Sequence, residues 1–293
     1  MARMTIGFVG AGAMGSAVAA AYAAGGARAV TTLAGRSERT RRLVEGVQVE
    51  QLQDLEEVLR ASDYVLSIVP PERAPEAASD IAAAAKSTGA SPLVADLNAV
   101  SPKTMHAVAA RLADATLAVV DGSISGGPPR PDGSTRVYLS GPRAPELAGL
   151  PAPGIDARVV GGEIGTASAV KMCTASIYKG TSGLLAHALL AAQGNGVLDV
   201  VLDDLRRGEP GLVDHAPLTL ARAATKAGRY VGEMREIAAT QEAAGLPPEL
   251  FEGFAALYEA LARSPLGRED PESIDPRLTL AQVLDGLSAD RAE

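Results

Sequence analysis

Near the amino terminus, Gly10-Ala11-Gly12-Ala13-Met14-Gly15 sets three glycines at the spacing GxGxxG. The flanks give the pattern its meaning. The apolar run Met4–Val9 reads as a short buried strand, and the alanine-rich Ser16–Ala24 as a helix. At such a junction the first glycine permits a tight turn. The second lets the backbone approach a pyrophosphate, and the third lets the helix pack on the strand. The N–H groups at the helix start, around Ala13 and Met14, then face the phosphates. GxGxxG alone carries little information, but between a strand and a helix it points to a bound dinucleotide.

The end of the next strand bears on which dinucleotide. A site for NAD usually places Asp or Glu about 20 residues further on, to hold the ribose hydroxyls. Here that place reads Ala34-Gly35-Arg36-Ser37, with Arg39, Thr40 and Arg41 just beyond. An arginine and a hydroxyl stand where an acid would. Arg36 can stack on adenine or pair with a 2′-phosphate, and Ser37 can bond that phosphate. The expected cofactor is therefore NADP(H) in preference to NAD(H).

These residues need a scaffold that presents them. Strands are expected at Met4–Val9, Ala29–Ala34, Tyr64–Val69, Leu93–Asp96 and Leu117–Asp121, with Arg136–Ser140 as the last. Helices are expected at Ser16–Ala24, Arg39–Glu45 and Ala74–Ala85. Another opens at Ser101-Pro102, a hydroxyl N-cap followed by proline at the first helical position. Gly126–Gly133 reads as a rigid loop. Strands alternating with helices at this spacing imply a doubly wound, mostly parallel α/β sheet, a Rossmann domain. After Gly161-Gly162 the texture becomes helical. Glu163–Gln193 contains no proline and reads as one long helix, followed by helices at Val197–Arg207, Pro217–Ala244, Pro248–Arg263 and Leu278–Leu287. Two domains are expected, a Rossmann domain over 1–162 and an all-α domain over 163–293.

Composition narrows the partners. Hydrophobic residues make up 47% and aromatics 3%, with no tryptophan, so the core must be mostly Ala, Val and Leu. The net charge of −8, without blocks of like charge, argues against a nucleic-acid surface. No apolar run is long enough to span a bilayer, and no signal-like segment opens the chain. A cytoplasmic setting is expected. The three histidines and one cysteine are scattered, so no metal site is expected. Cys173 reads as a small buried hydrophobe.

Four ordered motifs resemble one family, the β-hydroxyacid dehydrogenases, which include 3-hydroxyisobutyrate and 6-phosphogluconate dehydrogenases. GAGAMG at Gly10–Gly15 is similar to the family's GxGxMG. DGSISGG at Asp121–Gly127 is similar to its DAPVSGG, and GEIGTASAVK at Gly162–Lys171 to its GxGxxxK. MREIAATQEAAG at Met234–Gly245 resembles its MxKDLxLAxxxAxxxG helix. The segments KMCTASIYKG, Lys171–Gly180, and RYVGEMREIAAT, Arg229–Thr240, resemble a branch with a distinct, phosphogluconate dehydrogenase-like C-terminal domain.

The resemblance implies roles. Ser125, Gly126 and Gly127 would offer a hydroxyl and backbone N–H groups to a substrate carboxylate. Lys171 would transfer the proton. Val69 and Pro70 would line the nicotinamide side, with Asn98 near the nicotinamide ribose or the substrate. Arg235 falls where the family often has a lysine that closes over the cofactor, and is taken as a substrate contact. The family's dimers imply a homodimer through the C-terminal domain. One departure stands out. The family places asparagine four residues after the lysine, and here that residue is Ala175. Tyr178, seven positions beyond Lys171, lies only about 20° off the same helical line. Thr174 shares that face, with Lys179 at its edge. Lys171, Thr174 and Tyr178 are read as one polar stripe, with Tyr178 a second catalytic candidate.

Oxidising an alcohol removes hydride from carbon and a proton from oxygen, so a base must reach the hydroxyl. Lysine serves when burial or a neighbouring cation lowers its pKa. The expected activity is interconversion of a small β-hydroxyacid, or a related alcohol, with its carbonyl. Two other readings remain open: an imine reductase, and a non-catalytic dinucleotide-binding module. The imine reductases that share this domain plan typically lack the lysine, so Lys171 favours alcohol chemistry. Replacing Arg36 with Asp is expected to weaken NADPH binding much more than NADH binding. Isothermal titration checks this, and a wild-type preference for NADH overturns the reading of Arg36 and Ser37.

Overall fold

The computed structural model describes residues 3–288. The apolar runs of the N-terminal half form one sheet whose intervening helices cover both faces. In chain order the elements are β1 (Thr5–Val9), α1 (Ala13–Ala24), β2 (Arg28–Thr32), α2 (Glu38–Glu45), β3 (Glu50–Leu52), α3 (Leu55–Ala61) and β4 (Tyr64–Ser67). Then follow α4 (Ala74–Thr88), β5 (Leu93–Asp96), α5 (Pro102–Ala113), β6 (Val119–Ser125), β7 (Thr135–Ser140), α6 (Ala144–Ala148) and β8 (Ile155–Gly161). The strands lie in the order β3-β2-β1-β4-β5-β6-β7-β8. Neighbours pair in parallel, except β6 and β7, which are antiparallel. The winding reverses between β1 and β4. In open α/β sheets the crevice at that point, beyond the carboxyl ends of the strands, is where ligands bind.

Successive residues of the central strands serve opposite faces. Ile6, Phe8, Leu66 and Leu93 pack with Tyr22 and Leu147 on one face. Val65 and Val94 pack with Ile81, Met105 and Leu112 on the other. A strand covered on both sides needs apolar residues throughout, which is why β1, β4 and β5 read as continuous apolar runs.

Two strands carry no such signature. β3 reads Glu-Gln-Leu at one sheet edge, and β8, half-exposed, forms the other. Arg136–Ser140 is therefore not the last strand: β8 follows and pairs in parallel with β7. Edge strands are covered on one side at most, so their sequences need not be apolar. The short helix α3 also escapes periodicity, although Asp54 caps it by accepting from Glu57 N at 2.8 Å.

The second half is helical: α7 (Thr166–Gly194), α8 (Leu198–Gly208), α9 (Pro210–Ala224), α10 (Ala227–Ala243), α11 (Glu249–Arg263) and α12 (Leu280–Ser288). The chain divides into two compact units at Met172/Cys173. This point lies inside α7 rather than at Gly161-Gly162, because the first turn of α7 is hydrogen-bonded into the sheet. Two expectations change here. The helix expected over Pro217–Ala244 is two helices broken at Thr225-Lys226, and the first starts at Pro210 with Pro217 inside it. Pro210 takes the first-turn position that the sequence reading gave to Pro217. Cys173 is exposed rather than buried. Leu189, Leu220, Ile237, Tyr258 and Val283 are fully or almost fully buried in the second unit. No described helix is long and apolar enough to cross a membrane.

The fingerprint glycines separate into distinct roles. Gly10 has φ +93°, which side chains disfavour, and a Cβ there would overlap the Ile68 carbonyl. A Cβ on Gly15 would overlap the carbonyl of Gly10, whereas one on Gly12 would meet nothing within 4 Å. Gly12 also has an ordinary φ of −69°. Gly15→Ala is expected to cost about 1–3 kcal/mol of stability by overpacking. Gly12→Ala should leave stability within about 0.5 kcal/mol and weaken dinucleotide binding instead. Urea unfolding beside cofactor titration checks the pair; equal stability losses in both variants would remove the distinction.

Candidate functional site

The loops after β1 and β4 abut. A Cβ on Gly10 would come within 2.8 Å of Val69 Cγ1. Asn98, 2% exposed, ties the neighbouring loop to them. Its Oδ1 accepts from Val69 N at 2.6 Å, and its Nδ2 donates to Ser67 Oγ at 3.1 Å and to Asp96 Oδ2 at 2.8 Å. Gly10, Val69 and Asn98 thus come together at the switch point, with Pro70 exposed beside them. Open space at Gly12 and the start of α1 give a dinucleotide's phosphates room and N–H donors. Arg36 and Ser37 lie in the turn before α2. Ser37 caps that helix, accepting from Thr40 N at 3.3 Å, and Arg41 donates to Leu33 O at 3.1 Å.

Around the second motif, Ser125 ends β6 half-buried, and Gly126 (φ +115°) and Gly127 follow in the open. Thr135 Oγ1 donates to Gly127 O at 2.9 Å and pins this loop. Lys171, in the second turn of α7, donates from Nζ to Ile124 O at 2.7 Å. The ammonium is therefore held one residue before Ser125-Gly126-Gly127. Two segments 47 positions apart in sequence converge.

Further along α7, Thr174 is half-buried and Tyr178 is 72% exposed. Tyr178 borders an open groove of about 410 Å³ with Ile177, Leu185, Leu212 and His215. Lys179, read as the edge of the polar stripe, turns inward. It pairs with buried Glu233 and lies 4.3 Å from the Tyr230 ring centroid. Tyr258 donates to the Lys179 carbonyl at 2.7 Å and meets Tyr230 edge-on. Burial raises the pKa of both phenols. The two segments that carried the branch resemblance, Lys171–Gly180 and Arg229–Thr240, are thus joined by a buried ion pair. Arg235, by contrast, is exposed and pairs with Glu259 at 2.7 Å.

Residues 5–148 match the family model described as the NAD binding domain of 6-phosphogluconate dehydrogenase, and residues 192–261 match a domain of unknown function, DUF1932. A solved conserved protein of unknown function, described as structurally similar to 3-hydroxyacid dehydrogenases, is 28% identical. That match covers 88% of this chain and 97% of the other, with a TM-score of 0.66. Residues 5–148 thus carry a nicotinamide-dinucleotide domain of the 6-phosphogluconate dehydrogenase kind, and the chain as a whole is similar to a protein described as resembling 3-hydroxyacid dehydrogenases. The chain is an NAD(P)-dependent oxidoreductase whose C-terminal half carries DUF1932. An uncharacterized 28.5 kDa protein of Methanothermus fervidus is 28% identical over 70% of this chain and 78% of its own length. The fold is shared more widely. A Mycobacterium tuberculosis 3-hydroxyisobutyrate dehydrogenase, solved with L-serine, has a TM-score of 0.67 at 18% identity, covering 93% of this chain and 98% of its own. A Streptomyces aurantiacus imine reductase has a TM-score of 0.54 at 18% identity, covering 92% and 98%.

The sequence reading missed two buried acids. Asp96 ends β5 and Asp121 lies opposite it on β6, both at most 1% exposed. Asp121 Oδ2 accepts from Ser140 Oγ and from the backbone N–H groups of Gly165, Ala167 and Ser168 at 2.8–3.2 Å. Its Oδ1 accepts from Ser168 Oγ at 2.7 Å. Asp96 has fewer donors, the N and Nδ2 of Asn98. The available signal was a charged residue ending an otherwise apolar parallel strand, a position that demands partners.

Burial pushes the Asp96 pKa from 3.8 up to about 7; the Asn98 donors pull it down and the Asp121 charge adds to the rise. A raised folded-state value means that the folded chain holds a proton the unfolded chain has released. This contribution to stability is full below pH 3.8 and is lost as pH rises through about 7. Asp96→Asn is expected to flatten that decline, at some cost in stability because its NH₂ faces Asn98 donors. Urea midpoints from pH 4 to 8 check this; an unchanged slope in the variant refutes it.

Proposed function

We propose that this protein is an NADP(H)-preferring dehydrogenase or reductase that interconverts a small β-hydroxyacid, or a related alcohol, with its carbonyl. The observation that carries the reading is the Lys171 Nζ hydrogen bond to Ile124 O, beside Ser125-Gly126-Gly127. That loop offers a hydroxyl and two exposed glycine amides to a substrate carboxylate. Beside it, the lysine can take the hydroxyl proton in oxidation or return it in reduction. The bound dinucleotide supplies the hydride acceptor or donor. Gly10, Gly12, Ala13, Met14 and Gly15 hold its pyrophosphate, Val69, Pro70 and Asn98 border its nicotinamide end, and Arg36 with Ser37 takes the 2′-phosphate. Thr174 and Arg235 contribute on the substrate side, and Tyr178 either orients the substrate or shares the proton transfer.

The working unit is proposed to be a homodimer through the C-terminal domain. The α7 side chains Ile177 and Leu184 are 68% and 61% exposed in the single chain, apolar surface that a second copy would cover. Sedimentation equilibrium tests this directly.

A screen of NADPH and NADH oxidation against 3-keto acids, aldehydes and cyclic imines tests the activity. Turnover of imines alone moves the assignment to imine reduction, and none at all to a binding module. On an active substrate, Lys171→Ala is expected to lower kcat by roughly two to four orders of magnitude while NADPH affinity stays unchanged. Tyr178→Phe should cost less. Wild-type kcat in Lys171→Ala sinks the assignment, and an inactive Tyr178→Phe beside it gives the proton to the tyrosine.

A further inference from the structure

We propose that Asp121 is a positioning residue for Lys171, acting through the first turn of α7. The inference rests on the proton-transfer reading of Lys171 for its catalytic consequence, but not for its geometry.

A helix begins with N–H groups that have no partner inside it. In α7 a single carboxylate oxygen, Asp121 Oδ2, collects three of the N–H groups around its start, those of Gly165, Ala167 and Ser168. Three bonds converging on one atom fix how far the helix slides along its axis, and the Ser168 Oγ bond to Oδ1 at 2.7 Å, with the Ser140 and Ser123 bonds to Ala167, holds it against rotation. The negative charge also sits where the helix dipole favours it. Around this point Ser140 Oγ donates to Asp121 and accepts from Ala167 N at 3.0 Å, and Ser123 Oγ donates to Ala167 O at 2.9 Å.

Lys171 is three residues past Ser168. Its ammonium returns to the same strand, to Ile124 O, three residues past Asp121. Strand β6 therefore grips α7 at three places: Asp121 and Ser123 hold the backbone of its first turn, and Ile124 O holds the lysine side chain. It then runs straight into Ser125-Gly126-Gly127. The first residue of the DGSISGG motif thus sets the helix that brings the lysine to the last three. A rotation of α7 would carry Nζ away from that loop, and a misplacement of about 1 Å at a reacting group can cost on the order of a hundredfold in rate.

The test has one readout that needs no substrate. Acetic anhydride labels lysines that are free to react, and peptide mass spectrometry reads each one. Asp121→Asn keeps the size of the side chain but turns an NH₂ towards the N–H cluster. Ser168→Ala and Ser140→Ala each remove one hydroxyl donor and serve if Asp121→Asn does not fold. In these variants Lys171 acetylation is expected to rise several-fold over wild type, with Lys179, paired with Glu233, still protected. Unchanged Lys171 labelling, or Lys171 and Lys179 rising together as in general loosening, overturns the proposal.

With the most active substrate of the panel, Asp121→Asn is expected to lower kcat about 10- to 100-fold, with KM and NADPH affinity within twofold. In a Lys171→Ala background it should cause no further loss, because residues acting as one unit are not additive. A full multiplicative loss in the double variant overturns the positioning role. Lys171→Ala at wild-type kcat, with the labelling result intact, would instead fail the proton-transfer reading and leave the anchor standing.

Discussion

The arrangement depends on one buried carboxylate. Asp121 lies in the sheet with no exposed surface, where an ionised group without partners would be prohibitively costly. Its five donors come from β7 and from the start of α7. The cost of burying the charge thus enforces the docking of a helix end that would otherwise need partners of its own. Sheet and helix each satisfy what the other lacks, and Lys171 is carried to Ile124, beside Ser125-Gly126-Gly127, as a result. The neighbouring Asp96 is buried too. With fewer donors it shifts its proton affinity, and it anchors Asn98, which in turn holds the backbone of Val69.

The two carboxylates stand opposite each other on adjacent parallel strands. Each governs a different loop at the carboxyl end of the sheet: Asp96 the loop after β4, through Asn98, and Asp121 the start of α7. The loop that holds Val69 and the helix that carries Lys171 are thereby fixed from beneath by buried polar groups. Loops at the ends of strands are otherwise the most mobile parts of such a fold. Among the described residues no buried side-chain nitrogen or oxygen lacks a partner, so this polar layer is closed.

How much of this was legible in the sequence follows from how each feature is encoded. The fingerprint was readable because glycine has few reasons to recur at that spacing between a strand and a helix. The central strands were readable because burial on both faces demands unbroken apolar runs. β3 and β8 were not, since an edge strand is stabilised by backbone pairing that leaves little mark on side chains. The break at Thr225-Lys226 has neither a proline nor an N-capping side-chain bond to mark it, so only packing reveals it. Lys171 was flagged through resemblance, and its partner Ile124 offers a carbonyl, which every residue has. Lys179 looked like part of a polar face because helical geometry gives direction but not the depth of the surrounding structure. Its pairing with Glu233 needed a second helix to become visible.

Cys173 is the chain's one cysteine, it is exposed, and it follows Lys171 by two positions. The chain also lacks tryptophan. Together these make the protein an unusually clean optical object. A thiol-reactive dye would attach at one place, beside the lysine, without any cysteine having to be removed first. Intrinsic emission comes only from weak tyrosines, so the fluorescence of a reduced nicotinamide would stand against a dark background. Energy transfer between that nicotinamide and a dye on Cys173 would then report in solution on the distance between cofactor and α7.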